Sequence, residues 1–397
     1  MSAMKRLFQL MADKKASDIF LTVGAPINIK INGTAMPVNQ TVMNIESVKT
    51  LLYEVLSEVQ VRELEQELEL NTAYTLEGVG TFRISAFRQK GTPAAVVRYI
   101  PGTIPEIDTL GVPEVLKEVI MQKRGLILMV GATGSGKSTS LSAMLDFRNE
   151  RRPGHILTLE DPVEFIFQNK KSIVNQREVG TDTRNFETAL KNALRQAPDC
   201  ILIGEIRDKQ TMGMALAYAQ SGHLCLATLH ANNSYHAMNR IINFYPLENR
   251  PSLLLDLSAA LQAVISQRLV KTKTGGRVAS VEVLLNTRHI QDLIEKGEIS
   301  EIKEALEKSM APGSQTFEQS LFKLFIEGKI TQDEAMANAD SSSNMLWLIN
   351  QATAGDITAG GSLPSSAQDQ TRKDEKAAAA AQASEASFSG FKIDIAG

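Results

Sequence analysis

The stretch "LILMVGATGSGKSTSL" (residues 126–141) decides the fold class of this chain. An apolar run comes before the pattern G-x-x-x-x-G-K-S, and a helix-like segment follows it. Glycines let backbone N–H groups turn inward around phosphate oxygens, and the following helix presents its positive N-terminus to the same anion. The pattern therefore predicts a phosphate-binding loop between a strand and a helix of an α/β fold. Its predicted ligand-binding residues are Gly131, Ala132, Thr133, Gly134, Ser135, Gly136, Lys137, Ser138 and Thr139.

Length and composition indicate a protein of about two or three domains with a sizeable core. The 397 residues carry a net charge of −3, so no global excess of charge indicates a nucleic-acid or anionic-membrane partner, although a local basic patch needs none. Cys200 and Cys225 lack ligand-like spacing, which is typical of buried thiols in a reducing compartment. No signal peptide is visible, nor any apolar stretch of the ~18 residues that a membrane span needs. We expect a cytoplasmic protein without direct membrane insertion.

The order of the patterns predicts two domains and a tail. Residues 1–100 combine an amphipathic helix, strand-like segments with an Asn32-Gly33 hairpin turn, a helical pattern over 45–70 and three further strands, which favours an α+β domain. Prolines in residues 101–113 predict a linker. Residues 114–353 are expected to form the domain that carries the phosphate loop, with a helical region after Arg268 in which Thr331 and Glu334 make a capping-box pattern. Residues 354–397 are rich in Gly, Ser, Gln and Ala and predict a flexible tail.

Four apolar runs predict the strands of the larger domain: "GLILMVG", "HILTLED", "CILIGEI" and "HLCLATL". Each is almost continuously apolar, as expected for a parallel sheet that helices cover on both faces. Ligands of such sheets collect at the carboxyl ends of the strands. Polar residues directly after each run are therefore the candidate site residues.

The acidic partner of the phosphate loop is predicted at the end of "CILIGE". Lys137 would supply a cation to the β- and γ-phosphates of ATP, and Ser138 a hydroxyl to Mg²⁺. Glu205 would orient or deprotonate the attacking water and reach Mg²⁺ through a water. Many phosphate-loop proteins have an aspartate where this chain has Gly204. The alternative for Glu205 is a surface carboxylate at a strand end.

Two further strand ends carry candidate residues. "TLEDPVE" places Glu160, Asp161 and Glu164 together, which is costly unless cations lie near, although Pro162 alone could also explain a turn there. "GHLCLATLHANNS" places His223 and His230 at the two ends of one strand. Their spacing of seven residues points the rings to opposite faces of an unbroken strand, which argues against a shared metal ion. The alternative for each is a hydrogen-bonded structural histidine.

Taken together, the four segments resemble the secretion ATPase superfamily that powers type IV pili and type II secretion. Its Walker A, Asp box, atypical Walker B and His box correspond in order to "GATGSGKST", "TLEDPVE", "LRQAPDCILIGEIRD" and "GHLCLATLHANNS". The resemblance extends from "ASDIFLTVGAP" to "SSSNMLWLI". It implies a PAS-like N-terminal domain, a RecA-like phosphate-loop ATPase domain and a homohexamer that binds ATP and Mg²⁺. It also adds Glu160, Glu164 and His230 to the catalytic residues and His223 to the nucleotide site.

The same resemblance implies that arginines of the N-terminal domain reach the nucleotide of a neighbouring subunit. The matching positions are Arg83, Arg88 and Arg98, and Arg240 matches a further arginine of the family. Guanidinium groups brought across an interface would neutralise charge that develops on the γ-phosphate. Arg83 and Arg88 differ in strand parity, so at least one of them should lie beyond the strand or on its other face. The alternative is an exposed face of a sheet.

Within the superfamily the short chain resembles the PilT/PilU retraction branch, since it lacks the long N-terminal extension and zinc module of the extension-type motors. The principal motor of that branch, PilT, carries "AIRNLIRE", whereas this chain has "HIQDLIEKGE", with Gln291 and Glu295 at the two arginine positions. The resemblance is therefore to the accessory member of the branch. It implies PilT and a PilC-like inner-membrane platform protein as partners, with retraction of the pilus and twitching motility as the output. The terminal "FSGFKIDIAG" is either a disordered end or a docking peptide.

Two rival functions stay open on the sequence alone. A nucleic-acid motor of the RecA or helicase kind shares the core fold, but it would need a basic, aromatic-bearing groove, of which the core has no obvious run. A subunit that binds ATP without hydrolysing it and only supports a ring is the second rival. The intact Lys137, Ser138 and Glu205 argue against it.

Overall fold

The computed structural model describes residues 2–31 and 33–358, which form two compact units. The first unit ends at Thr103 and the second begins at Ile104. The elements of the first unit are α1 (Ala3–Asp13), β1 (Asp18–Thr22), β2 (Pro26–Ile31), β3 (Thr34–Val42), α2 (Ile45–Tyr53), α3 (Glu58–Glu67), β4 (Glu69–Leu76), β5 (Gly80–Gln89) and β6 (Thr92–Pro101).

The six strands of the first unit form one antiparallel sheet in the order β3-β2-β1-β6-β5-β4. The predicted hairpin is confirmed, because Ile31 of β2 pairs with Thr34 of β3 across a two-residue connection and Gly33 has a φ of +85°. The helical pattern over residues 45–70 corresponds to two helices. A capping box of Ser57 and Gln60 begins the second of them, and β4 starts at Glu69.

The core of the first unit lies between one face of the sheet and its helices. The apolar side of α1 is buried at Met4, Leu7, Phe8 and Met11, as its helical spacing predicts. The ring of Phe8 stacks on Phe82 of β5 at a centroid distance of 4.0 Å. Even-numbered residues of β5 therefore face the helices and odd-numbered ones face away.

The second unit is a helix-covered sheet followed by further helices. Its elements are α4 (Val115–Ile120), β7 (Gly125–Val130), α5 (Lys137–Arg151), β8 (Gly154–Glu160), β9 (Ser172–Glu178), α6 (Phe186–Ala193), β10 (Cys200–Ile203), α7 (Lys209–Gln220), β11 (Leu224–Leu229), α8 (Ser234–Asn243), α9 (Arg250–Ala260), β12 (Leu261–Lys271), β13 (Arg277–Leu285), α10 (Arg288–Lys296), α11 (Ile302–Glu307), α12 (Phe317–Ile326), α13 (Gln332–Asn338) and α14 (Ser342–Thr358). Short 3₁₀ turns lie at Ile107–Thr109, Leu194–Gln196, Leu247–Asn249 and Ile299–Glu301.

The sheet of the second unit has the order β13-β12-β7-β11-β10-β8-β9, in which only β13 runs antiparallel. Its two faces bury alternate residues of β7. Leu126, Leu128 and Val130 lie in one apolar cluster with residues of α6 to α10, and Ile127 and Met129 lie in another with residues of α4 and α5. The predicted α/β class and the predicted parallel sheet with helices on both faces are confirmed.

Three expectations for the end of the second unit need correction. The region after Arg268 is not helical at first, because β12 continues to Lys271 and β13 pairs with it. Thr331 caps α13 by accepting the Glu334 N–H, but the Glu334 carboxylate accepts the N–H of Lys271 in β12 instead of completing a capping box. Helix α14 runs to Thr358, so the first five residues of the predicted tail are helical; residues 359–397 lie outside the described part of the chain.

Candidate nucleotide site

The phosphate loop connects β7 to α5, as its sequence predicts. Gly131, Gly134 and Gly136 all have positive φ, at +153°, +78° and +84°, which L-residues with a side chain rarely adopt. Gly136 is the N-cap of α5, and no side chain caps the helix there. The first N–H groups of α5 are therefore directed to the loop, where an anion is the partner that suits them.

Lys137 is buried inside the loop, with 8% of its surface exposed. Its Nζ donates to the carbonyl oxygens of Gly131 at 2.7 Å and of Ala132 at 2.9 Å. Burial lowers the pKa of this amine, and the negative charges of Glu164 and Glu205 act in the opposite direction. An ammonium held inside the loop in this way can pair with the negative charge of a phosphate. Ser138 and Thr139 lie in the first turn of α5 next to it.

Glu205 follows β10 and lies at the same edge of the sheet as the phosphate loop. Its side chain is 16% exposed and pairs with two neighbours: Oε2 accepts from Arg207 Nε at 2.7 Å, and Oε1 lies 3.4 Å from Nε2 of His230. Arg207 also reaches Asp161, with 3.7 Å between Nη1 and Oδ2. The structure thus connects the ends of β8, β10 and β11 through one carboxylate and one guanidinium.

Arg207 is a residue that the sequence analysis did not single out. It stands two positions after Glu205 in "GEIRD", and a cation so close to a candidate general base was the signal available. Its guanidinium is 58% exposed, so it is accessible at the edge where a ligand would lie.

The acids after β8 are in different environments. Glu160 is 8% exposed and accepts hydrogen bonds from Thr158 Oγ1 at 2.7 Å and Gln176 Nε2 at 3.3 Å. Burial raises its pKa, and these hydrogen bonds oppose the rise. Glu164 is exposed, and its charge acts on Lys137. The cluster therefore separates into a buried acid, an acid facing the phosphate loop and Asp161 beside Arg207.

The two histidines lie at opposite ends of β11. His230 follows the carboxyl end of β11 and faces Glu205. His223 precedes β11, where its Nδ1 lies 3.0 Å from Ser221 Oγ and its carbonyl accepts the N–H of Gly125 at the start of β7. Six residues of strand span about 20 Å, so His223 is not brought to the phosphate loop of the same chain. Arg240 binds at the carboxyl end of β11, where its Nη1 donates to the carbonyl of His230 at 2.8 Å.

The candidate arginines of the first unit lie on two faces of its sheet, as strand parity predicts. Arg83 of β5 and Arg98 of β6 are direct cross-strand partners on the face away from the helices. Arg98 Nε donates to Asp18 Oδ1 at 3.0 Å, and 65% of the side chain is exposed. Arg88 lies on the helix-covered face, where it forms an ion pair with Glu65 of α3. That ion pair holds Arg88 inside its own unit.

Glu65 binds a second partner besides Arg88. The Tyr53 hydroxyl also donates to its carboxylate, which together with the arginine lowers the pKa of Glu65. Burial raises the pKa of Tyr53 to about 12. Arg88 is therefore one member of a three-residue cluster that joins α2, α3 and β5.

The residues at the loop fit a magnesium nucleotide. Within residues 2–31 and 33–358, no group of three or more His, Cys, Asp or Glu side chains could hold a metal ion by itself. A Mg²⁺ ion bound to a nucleotide takes most of its ligands from phosphates and water, so one hydroxyl and one nearby carboxylate suffice from the protein. Ser138, in the first turn of α5, offers such a hydroxyl, and Glu205, at the end of β10, offers such a carboxylate. None of the described helices is long and apolar enough to cross a membrane.

Comparison with known proteins agrees with this geometry. A family model described as "Type II/IV secretion system protein" matches residues 2–337.

The chain belongs to the Type II/IV secretion system protein family.

Its relatives in this family cover nearly the whole of the described chain. The type IV pilus ATPase PilU of Pseudomonas aeruginosa is 47% identical over 353 residues, which are 89% of this chain and 92% of that protein. The type IV pilus retraction ATPase PilT of the same organism is 39% identical over 338 residues, 85% of this chain and 98% of that protein. A crystal structure of the pilus retraction motor PilT with bound ADP is 38% identical and superimposes with a TM-score of 0.80, over 87% of this chain and 98% of that one.

The helix at the position of "AIRNLIRE" keeps its apolar side in this family member. Leu293 and Ile294 of α10 are buried in the core of the second unit. Gln291 is partly exposed and Glu295 is exposed. The two positions at which the resemblance leads us to expect arginines therefore lie outside the buried apolar side of α10.

Proposed function

We propose that this chain is an ATP-hydrolysing motor of the type IV pilus machine that acts as a homohexamer, in the manner of PilU, as an accessory to PilT in pilus retraction and twitching motility. The observation that carries the proposal is its 47% identity to PilU over 89% of the chain, compared with 39% to PilT. The site supports it, because the phosphate loop and the candidate general base are both intact and lie at one edge of the sheet.

The roles of the residues follow from their chemistry. Lys137 and the N-terminus of α5 bind the phosphates, and Ser138 offers a hydroxyl to Mg²⁺. Glu205 orients the attacking water and accepts its proton. His230 and Arg207 hold the Glu205 carboxylate in place. Glu160, Glu164 and Arg240 position the surrounding strand ends.

The surface of α10 supports the accessory role. Two arginines of the principal motor correspond to the neutral Gln291 and the acidic Glu295, which cannot make the same contacts. A partner surface that binds guanidinium groups would not bind this face. We infer that the chain acts on the pilus through PilT and a PilC-like inner-membrane platform protein, from the cytoplasmic side of the membrane.

ATP turnover by the purified protein is the first test. We expect Mg²⁺-dependent phosphate release that falls by about 100-fold or more in Lys137→Ala, because a cation that meets the transferred phosphate is lost. Lys191→Ala is the matched control, since Lys191 is exposed and pairs with Glu187 one turn away in the same helix. A well-folded hexamer without turnover contradicts the motor. Turnover that requires added DNA indicates a nucleic-acid motor instead.

The second test measures pilus retraction in cells that lack PilT, this protein or both, each complemented with wild type or Lys137→Ala. The proposal predicts that this protein strengthens retraction only when PilT is present. Strong retraction driven by this protein without PilT contradicts the accessory role.

A further inference from the structure

Gln267 of β12 lies behind the phosphate loop and binds it with both ends of its amide. The side chain is buried, with 2% of the residue exposed. Its Nε2 donates to the carbonyl oxygen of Ser135 at 2.9 Å, and its Oε1 accepts from Ser140 Oγ of α5 at 2.8 Å. Every polar contact of this amide therefore goes to the loop or to the helix that follows it.

Two glycines of the loop are also in close contact with Gln267. A Cβ atom on Gly131 would lie 2.6 Å from the Gln267 carbonyl oxygen, and one on Gly136 would lie 2.7 Å from its Nε2. Real Cβ atoms do not approach so closely, so a side chain at Gly131 would meet fixed backbone and one at Gly136 would displace the Gln267 amide; both glycines also have a positive φ. Gln267 therefore packs against or binds the loop at Gly131, Ser135 and Gly136.

The bond to Ser135 fixes the direction of a particular N–H group. In a trans peptide, the C=O and N–H bonds point to opposite sides of the chain. The Ser135 carbonyl points to Gln267 at the back of the loop. The N–H of Gly136 in the same peptide plane must therefore point to the front, where the phosphates would lie.

The side chains of Gln267 and its neighbour Arg268 lie on opposite sides of β12, and that of Gln267 faces the phosphate loop. Arg268 points to the other side, where its Nη2 donates to the carbonyl of Asn232 at 3.1 Å and forms an ion pair with Asp340. Glutamine is rarely buried in a strand. Here the amide is buried because it forms hydrogen bonds with Ser135 and Ser140.

We propose that Gln267 is a positioning residue of the nucleotide site, which turns the Ser135–Gly136 peptide so that the Gly136 N–H faces the β-phosphate of a bound nucleotide. This rests on the proposed function only in that the loop binds a nucleoside di- or triphosphate. Gln267 acts through the loop and does not touch the ligand. The contact it prepares is made equally in the ground state and the transition state, so it contributes to affinity and much less to kcat.

The test compares Gln267→Met with wild type in the full-length protein. Met keeps the length of the side chain and removes both hydrogen bonds. We expect the Kd for ADP and the KM for ATP to rise about tenfold, as the loss of one well-placed hydrogen bond would give, while kcat changes less than twofold to threefold. Gln267→Glu, which keeps the acceptor for Ser140 but loses the donor to Ser135, is the second variant and should show at least the same rise.

Asn286→Leu is the matched control. Asn286 is also an amide that supports backbone carbonyls of this region, those of Ser258 and Leu261 at the other end of β12. This variant should lower the melting temperature and leave the Kd for ADP unchanged.

The inference is overturned if folded Gln267→Met and Gln267→Glu bind ADP with the wild-type Kd, or if Asn286→Leu weakens binding as much as they do. Such a result would leave the proposed function standing, provided that the wild-type protein binds and hydrolyses ATP. A wild-type protein that binds neither ADP nor ATP overturns both.

Discussion

Gly204 lies where the ends of β10 and β8 approach closely, so that a side chain there would be crowded by the neighbouring strand. A Cβ atom there would lie 3.1 Å from the Leu159 carbonyl oxygen and 3.2 Å from Glu160 Cα, and the Gly204 N–H bonds that same carbonyl at 2.7 Å. The aspartate that many phosphate-loop proteins have at this position would require the end of β8 to move by a few tenths of an ångström. The acidic role therefore passes to Glu205, one residue further on.

Glu205→Gln is expected to abolish most hydrolysis and to keep nucleotide binding. The amide has the same shape but cannot accept a proton, so kcat should fall by about 10²- to 10⁴-fold. The Kd for ADP should change little, because Lys137 and the loop remain. Steady-state phosphate release and ADP binding measure the two effects.

Glu187→Gln provides the control for that substitution. Glu187 is a surface carboxylate that pairs with Lys191, and its loss should leave kcat unchanged. Wild-type turnover in Glu205→Gln would move the role of general base to another acid, of which Glu164 is the next candidate.

At the scale of elements, the strands predicted from the sequence are those with continuous apolar runs. All six residues of β7 are buried, as are all four of β10. A continuous apolar run of this kind predicts a strand in the interior of a sheet. The carboxyl ends of these strands carried most of the candidate site, which is why Lys137, Glu205 and His230 could be predicted from the sequence.

The strands that sequence analysis missed have polar residues in their interior or lie at an edge. β9 lies at one edge of the sheet, and after Ser172 all its residues are partly or fully exposed. β12 contains the buried Ser266 and Gln267, which interrupt the apolar run because each binds a group of another element. Such pairing depends on distant parts of the chain, so it could not be predicted from local pattern. The candidate positioning residue was missed for the same reason as its strand.

Glu282 of β13 joins three elements through one carboxylate. Its Oε1 accepts from Ser266 Oγ of β12 at 2.9 Å and from the Ser234 N–H at the start of α8 at 2.7 Å. Burial raises its pKa, and these hydrogen bonds oppose the rise. The folded state therefore binds a proton at Glu282 more tightly than the unfolded chain does.

This shift has a definite sign in the pH dependence of stability. The raised pKa of Glu282 adds to the free energy of unfolding. This contribution is fully present below the unfolded-state pKa of about 4.3 and is lost as the pH rises through the folded-state pKa, by at most about 1.4 kcal/mol per pH unit. The free energy of unfolding of wild type, relative to Glu282→Gln, should fall as the pH rises through that window. Urea unfolding at several pH values measures this difference, with the exposed Glu248→Gln as control. A difference that is constant across the window would contradict the assignment.

At the scale of the molecule, the face of the first unit that carries Arg83 and Arg98 is the surface to examine for contact with a neighbouring subunit. Arg98 is largely exposed, and its partner Asp18 comes from the adjacent strand. Arg88 is directed into its own unit by Glu65 and is the weaker candidate for such a contact. Of the three family positions, the structure thus favours the pair on the open face.

Mixed rings test whether this arginine acts on the nucleotide of a neighbouring chain. Arg98→Ala and Lys137→Ala should each abolish most ATP turnover as homohexamers. In a ring with head-to-tail contacts, co-assembly in equal amounts gives about one quarter of interfaces an intact Lys137 on one side and an intact Arg98 on the other. With sites that hydrolyse ATP independently, ATP turnover by the mixed rings should then recover to about a quarter of the wild-type rate. An arginine that acts within its own chain gives no recovery on mixing, because no subunit carries both intact residues.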